Sequence, residues 1–381
     1  MNPACKDITS FLVMDILERA HAIEAAGNRV IHLEIGEPDF DIPDCVKEAA
    51  RQAVADGRTH YTHSLGIPEL RQAICDLHAR EYGVAVTPDR VLVTGGTSPA
   101  MLLAFGVLAR PGQHILLTDP AYACYPNFLR FTGLVPRYVP VAEDDGFQWT
   151  PERIRACVGD DTAGILLNSP ANPTGTLLSP QAIEAACATG VPVISDEIYH
   201  GLTYGEPARC ALEFSDDALV LNGFSKRFAM TGLRLGYLIA PAPMMGLLQK
   251  LQQNLFICAS SVSQWAGLAA LSPDGLAAAE AMRQTYDTRR QALLAGLAKL
   301  GLAPRIEPTG AFYVFVRTDH LHPDSLALAY DILEKAHVGV TPGIDFGPGG
   351  EGHLRFSYAN SLENIEEGLE RLGRYIAGRC G

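Results

Sequence analysis

Lysine is scarce in this chain, with six residues in 381, at positions 6, 47, 226, 250, 299 and 335. Basic charge is short overall: 30 Lys+Arg stand against 43 Asp+Glu, for a net charge of −13. No basic block occurs, so a phosphate backbone would be repelled and no nucleic-acid partner is expected. The nine cysteines are odd in number and contain no CxxC pair. That excludes a disulfide scaffold and points to reduced thiols in a cytoplasmic protein. No apolar run approaches the roughly 18–20 residues of a spanning helix. The opening MNPACKDITSF, with an acid and one base ahead of any apolar stretch, does not read as a signal peptide, and no membrane partner is expected. Low-complexity linkers and fixed-period repeats are also missing.

What is present is ordinary globular composition, 48% hydrophobic and 19% charged, over a length that suits two to three domain-sized units. Between residues 91 and 241, short apolar runs at 91–94, 114–118, 137–141, 164–168, 191–195, 218–221 and 236–239 alternate with helical patterns, for example at 99–109, 179–188 and 244–255. Continuous apolar strands separated by helices predict an α/β fold with a mainly parallel, doubly wound sheet. After that the pattern changes. A long helix at 277–300 is followed by strand-like 310–316, a helix near 324–336, strand-like 338–341 and 353–358, and a last amphipathic helix from Leu362. This predicts a smaller α+β domain. At the other end, 8–26 reads as a helix and 30–35 as a strand. The expected division is 1–40 as an N-terminal arm and part of the small domain, 41–275 as the large domain and 276–381 as the small domain.

Ligands of parallel sheets bind beyond the carboxyl ends of the strands, so the residues following each run carry the argument. Gly95-Gly96-Thr97-Ser98-Pro99 turns a strand into a helix; Ser98 suits an N-cap and Pro99 the first helical position. Such a helix start offers free N–H groups to an anion, or is a plain turn. A second glycine cluster, Gly347-Pro348-Gly349-Gly350-Glu351-Gly352, matches the dinucleotide fingerprint formally. It leads into a strand and proline removes an N–H, so it reads as a flexible turn and a nicotinamide enzyme is rejected. Lys226 sits among apolar neighbours, which lowers an amine's pKa and makes it nucleophilic, or else it is a lysine snorkelling at a sheet edge. Arg234, hemmed by Gly and Leu, reads as a buried cation needing an anionic partner. Asp196 ends a strand with no metal-spaced His/Cys cluster beside it; His60-x-x-His63 and His320-x-His322 lack further ligands, so no metal is expected. Pairing of Asp196 with a cationic ring nitrogen suits it better.

The segment from Ser225 to Tyr237, Ser-Lys-Arg-Phe-Ala-Met-Thr-Gly-Leu-Arg-Leu-Gly-Tyr, resembles the lysine motif of class I aminotransferases, pyridoxal 5′-phosphate enzymes of fold type I. The resemblance extends, in the family's order, through Gly36-Glu37-Pro38-Asp39-Phe40, Tyr61 with Gly66-Ile67-Pro68-Glu69-Leu70-Arg71, the segment from Asn168 to Gly175, Asp196-Glu197-Ile198-Tyr199 and the segment from His353 to Ser357. It implies that Lys226 bonds to the cofactor aldehyde and later shuttles a proton. It implies that Asp196 pairs with the ring nitrogen, that Tyr199 and Asn172 donate to the ring oxygen, and that Tyr122 stacks on the ring. Gly96, Thr97, Ser98, Ser225 and Arg234 would hold the phosphate, with Tyr61 reaching it from the other subunit of a homodimer. Arg355 would grip the substrate carboxylate, helped by Asn172 and the backbone of Gly36.

Gly223, three residues before the lysine, stands where many members of that family carry a phosphate-binding serine. Tyr125, three residues after Tyr122, reads as packing. Phe11, Leu12 and Val13 admit two readings, a wall closing over the substrate or a helix face packed on the core. The function implied is transfer of an amino group between an L-amino acid and a 2-oxo acid. Glutamate/2-oxoglutarate is one expected pair, and an aspartate, aromatic or neutral amino acid belongs to the other. The alternative is a carbon–sulfur β-lyase or decarboxylase on the same fold.

Overall fold

The computed structural model describes residues 6–379. Cys5 and Cys380 lie outside them, as do the outermost residues of the arm and of the small domain. The seven remaining cysteines, 45, 75, 124, 157, 187, 210 and 258, are all free thiols.

The central sheet has seven strands, in the spatial order Val91–Thr94, Gly236–Ile239, Leu219–Gly223, Val193–Asp196, Thr162–Asn168, His114–Asp119 and Val135–Pro140. Five of them run parallel in sequence, as expected from their continuous apolar character. Strand Gly236–Ile239 is antiparallel to both its neighbours. Its sequence, Gly-Tyr-Leu-Ile, is as apolar as the others, so direction was not readable from composition. Alternate residues face opposite layers: Val91, Val93, Leu116, Ile165 and Val220 join one buried cluster, while Leu92, Ile115, Leu117, Leu166 and Leu219 join another. A period of two with both faces apolar is what makes these runs continuous.

A third cluster lies outside the sheet. It unites Ile16, Ala20 and Ile23 of helix Leu12–Ala25 with Leu293 and Leu297 of helix Pro273–Lys299 and with the strands Tyr313–Arg317 and His353–Ser357. The protein is therefore an α/β molecule with a large, mainly parallel, doubly wound sheet and a smaller α+β part.

Four local expectations are corrected. The first helix starts at Leu12, not at residue 8, because the N–H groups of Leu12 and Val13 are taken by the Asp345 carboxylate. Of residues 30–35, only Ile31–His32 is strand, paired with Val338–Gly339. The stretch 338–341 splits between two sheets, since Thr341–Pro342 pairs with Leu354 and Arg355 instead. That switch carries the backbone from the edge of one sheet to the neighbourhood of Arg355. Helix Pro273–Lys299 begins earlier than expected, capped by Ser272, whose hydroxyl accepts from the Gly275 N–H.

Candidate active site

Strands Val193–Asp196 and Thr162–Asn168 deliver Asp196 and Asn168 side by side at their carboxyl ends, and helix Thr97–Leu108 starts nearby. They border a cavity of about 270 Å³. Of the residues singled out from the sequence, Gly36, Thr97, Ser98, Tyr122, Asn172, Asp196, Tyr199, Lys226 and Arg355 line it. Distant segments meet here because the loops following parallel strands converge on one edge.

Lys226 is half-buried, and its Nζ donates to the carbonyl of Gly36 at 2.6 Å. Burial pulls its pKa down to about 8, against the raising influence of Glu37, with Arg355 and Arg234 lowering it further and Asp196 raising it. Its neutral form is thus accessible near neutral pH, as its apolar neighbours implied. Asp196 is buried, and burial pushes its carboxyl up to about 6. The Tyr125 hydroxyl donates to its Oδ2 at 2.7 Å and the Ile198 N–H to its Oδ1 at 3.2 Å; both bonds and the Lys226 charge hold the pKa lower than burial alone would.

Tyr125 is therefore more than packing. Its ring is buried, yet its hydroxyl donates to the Asp196 carboxylate, which lines the cavity. Removing it should raise the Asp196 pKa. A hydrogen bond to a charged group contributes about 1.5–3 kcal/mol, or roughly one to two pH units. Cofactor binding to Tyr125→Phe apoprotein should thus begin to weaken at correspondingly higher pH than in the wild type, as acid neutralises Asp196. An absorbance titration at several pH values measures this, and an unmoved midpoint would remove Tyr125 from the site.

Arg355 is 2% exposed. Its Nη1 donates to Asn172 Oδ1 at 2.9 Å, and its Nη2 to the Glu34 carbonyl at 2.6 Å and to Thr341 Oγ1 at 3.1 Å. The rings of Tyr313 and Phe346 lie 4.3 and 5.0 Å from its Cζ. Its Nε has no partner, and no carboxylate among the described residues forms an ion pair with it. A buried cation with neutral acceptors alone is costly and is completed by an anion. The Tyr199 hydroxyl shares a 2.8 Å hydrogen bond with that of Tyr313, which also lines the cavity. Tyr313 was missed because it sits in an aromatic strand, where one tyrosine reads as core.

The glycine turn differs from expectation in one respect. The N-cap is Gly96, at φ 106°, and Ser98 is the second helical residue. Only glycine adopts that angle freely, so the chain turns there and the helix start receives no side-chain cap. Arg234 lies against this turn: a Cβ on Gly96 would stand 2.8 Å from its Nη2. Arg234 is not buried, contrary to expectation. It is exposed, its Nη1 donates to the Thr231 carbonyl at 2.8 Å, and no carboxylate among the described residues pairs with it. A Cβ at Gly223 would stand 3.0 Å from the Leu235 carbonyl oxygen and 3.1 Å from Gly236 Cα, so the backbone there crowds any side chain. Ser225 is half-buried beside Lys226 and, with Gly96 and Arg234, stands outside the cavity lining. Tyr61 is 84% exposed and away from the cavity. The segment 347–352 is not a dinucleotide loop; its short turn is held by the Gly349 N–H on Asp119 Oδ1 at 2.8 Å, so it is anchored rather than flexible. Phe11 and Val13 line the cavity and Leu12 does not. Among the described residues, no group of three His, Cys, Asp or Glu could hold a metal, and no helix is long and apolar enough to cross a membrane.

An amine of lowered pKa, a buried carboxylate, an uncapped helix start beside an exposed guanidinium without a carboxylate partner among the described residues, and a buried arginine lacking an anion are the features of this region. The family model of aminotransferases of class I and II matches residues 28–372, and the chain belongs to that family. The chain is 39% identical over 370 residues to the (5-formylfuran-3-yl)methyl phosphate transaminase of Methanocaldococcus jannaschii, covering 96% of this chain and 97% of that one. It is 39% identical over 372 residues to the aspartate/prephenate aminotransferase of Thermus thermophilus, covering 95% and 94%. The solved structure of Thermus thermophilus aspartate aminotransferase with maleate superposes with a TM-score of 0.94 at 36% identity, over 98% of this chain and 99% of that one. The protein is an aminotransferase acting on amino and 2-oxo acids, and its cofactor is pyridoxal phosphate. The residues present fit that cofactor: Gly96 leaves space that a Cβ would fill beside Arg234, and Lys226 and Asp196 supply an amine and an acid.

Proposed function

We propose that Lys226, Asp196 and Tyr199 carry the chemistry of amino transfer at this cavity. Arg355 and Asn172, with the backbone of Gly36, hold the substrate carboxylate. Gly96, Thr97, Ser98, Ser225 and Arg234, with Tyr61 from a second copy, would hold the cofactor phosphate, and Tyr122, Asn172 and Tyr199 its ring. The observation that carries this reading is Arg355, a buried guanidinium whose fork is met by neutral acceptors and whose Nε is unpartnered. When bound, pyridoxal phosphate supplies an electron-withdrawing ring that stabilises negative charge at the substrate's Cα. Lys226 Nζ, half neutral near pH 8, would accept the Cα proton and release it to the cofactor carbon that carried the aldehyde. Asp196 keeps its negative charge at the cavity floor with help from Tyr125 and so holds a proton on a basic nitrogen opposite. Arg355 fixes the substrate so that the breaking bond is oriented.

The exposed Tyr61 supports a homodimer with a shared site, and the absence of disulfides among the described residues supports a cytoplasmic location. The division of the chain at residues 40 and 275 is part of the same proposal, supported by the separate cluster that joins the first helix to the last hundred residues. Two relatives of equal identity act, by their names, on different substrates, so kinship alone does not choose the amino acid. Glutamate and 2-oxoglutarate remain the proposed co-substrate pair, with an aspartate, aromatic or neutral amino acid in the other. Among the described residues of this chain, the cations on the cavity wall are Lys226 and Arg355, which supports pyruvate, with no distal charge, as a competing acceptor. A donor panel against both acceptors decides between them. Arg355→Ala should raise the KM for amino acids about a hundredfold, in the range of losing a charge-paired contact, while leaving KM for the corresponding amines within about threefold. Equal effects on acids and amines would remove its carboxylate role.

A further inference from the structure

Arg355 is anchored by the main chain of a buried acid. Glu34 is fully buried, and its carbonyl accepts from Arg355 Nη2 at 2.6 Å and from Thr341 Oγ1 at 3.0 Å. Thr341 Oγ1 in turn accepts from the same Nη2 at 3.1 Å. The three bonds close a triangle that fixes one arm of the guanidinium. The Glu34 side chain is engaged elsewhere. Its Oε1 lies 2.6 Å from His32 Nδ1 and its Oε2 has no hydrogen-bond partner. Both oxygens lie against Gly339, the strand partner of His32, where a Cβ would collide with them. The other ring nitrogen of His32, Nε2, lies 3.2 Å from Oε1 of Glu24 on the first helix. An imidazole with a carboxylate oxygen at each nitrogen donates from both and is a cation.

We propose that Glu34 and His32 are positioning residues for the substrate carboxylate: the His32 imidazolium holds the Glu34 side chain against Gly339, and this presents the Glu34 carbonyl to Arg355. The proposal rests on the reading of Arg355 as the arginine that takes the carboxylate, and deepens it. A buried carboxylate needs a cation, and His32 is the one paired with Glu34. The hydrogen bond to Glu34 raises the His32 pKa to about 9, against the lowering influence of burial, so the ring is charged at neutral pH. Without that charge the carboxylate is left unpaired, and Glu34 relaxes toward water with the carbonyl that anchors Nη2. Gly339 belongs to the same device, since even a methyl group there would take the space of the carboxylate. Neither Glu34 nor His32 lines the cavity, so the pair reaches the substrate through Arg355.

The test follows the cofactor absorbance of the holoenzyme as L-glutamate, L-alanine or L-phenylalanine is added, and as ethylamine or phenethylamine, which lack the α-carboxylate, is added. Glu34→Gln should raise the half-saturating concentration of each amino acid that reacts about tenfold, and leave the saturated rates and the half-saturation by amines within about threefold. His32→Gln should act in the same direction, about fivefold, and the double variant should be no worse than Glu34→Gln, because the two side chains act as one pair. His32 is partly exposed, so its variant reads the pair even where Glu34→Gln does not fold. Gly339→Ala keeps both charges, displaces the carboxylate and should match Glu34→Gln. A pair that served stability alone would lower the melting temperature and leave the ratio of acid to amine unchanged. That result, equal weakening of acids and amines, or additive effects in the double variant would overturn the proposal. Arg355→Ala separates it from the reading beneath: if that variant discriminates acids from amines and the Glu34, His32 and Gly339 variants do not, the positioning role alone falls. If Arg355→Ala does not discriminate either, both fall.

Discussion

Lys226→Ala is expected to lower kcat by at least about 10³-fold, the scale on which a positioned proton-transfer group acts. Lys226→Arg should be nearly as inactive, because a guanidinium keeps the charge but does not give up its proton. The contrast matters, since a lysine needed only as a cation would tolerate the change. Burial holds the Lys226 amine at about 8, so aldehydes should react with the apoprotein along a curve with its midpoint near pH 8, below the ordinary lysine range. The sign follows from the cause: the cavity penalises the ammonium form, and the neutral amine gains as pH rises through 8. Borohydride reduction followed by peptide mapping should place the cofactor on residue 226. Activity within tenfold of wild type in either variant, or attachment at another lysine, would refute the assignment.

The second large effect belongs to Asp196. Asp196→Asn preserves shape and removes charge, and kcat should fall about 10²–10³-fold, the cost of losing one preorganised electrostatic contact. The same variant should bind the cofactor with little pH dependence between about 5 and 7. The wild-type apoprotein should lose affinity as pH falls through about 6, where the buried carboxyl takes up a proton. The linkage has a stability counterpart. The folded chain binds this proton more tightly than the unfolded chain does, so the Asp196 contribution to apoprotein stability declines as pH rises from about 4 through about 6. Near-normal turnover in Asp196→Asn, measured with cofactor in excess, would exclude the electrostatic role.

Asp196, at the end of a parallel strand, and Lys226, just after one, could be singled out without coordinates because ligands of such sheets bind at the strands' carboxyl ends, and both line the cavity. Tyr125 was not. A tyrosine three residues after another has the same pattern whether its hydroxyl meets a carboxylate or nothing, and only the approach of helix Cys124–Phe131 to Asp196 decides. Arg234 was read as buried from its glycine and leucine neighbours. Local apolar residues do not bury a side chain that the turn at φ 50° presents outward. The capping role given to Ser98 failed for a related reason, since one glycine at positive φ moved the helix boundary by two residues.

The amino-acid order by itself determined the alternation of strand and helix, the two-faced apolar strands, and the set of polar residues at the strand ends. Those follow from side-chain chemistry and periodicity, which are properties of neighbours along the chain. Tertiary structure alone decided that Gly236–Ile239 runs against its partners, that Arg355 pairs with no carboxylate among the described residues, and that Asp345 caps a helix 333 residues away in sequence. Each of these is set by which distant groups converge, and convergence is fixed by the packing of the whole chain around three cores rather than by any local preference.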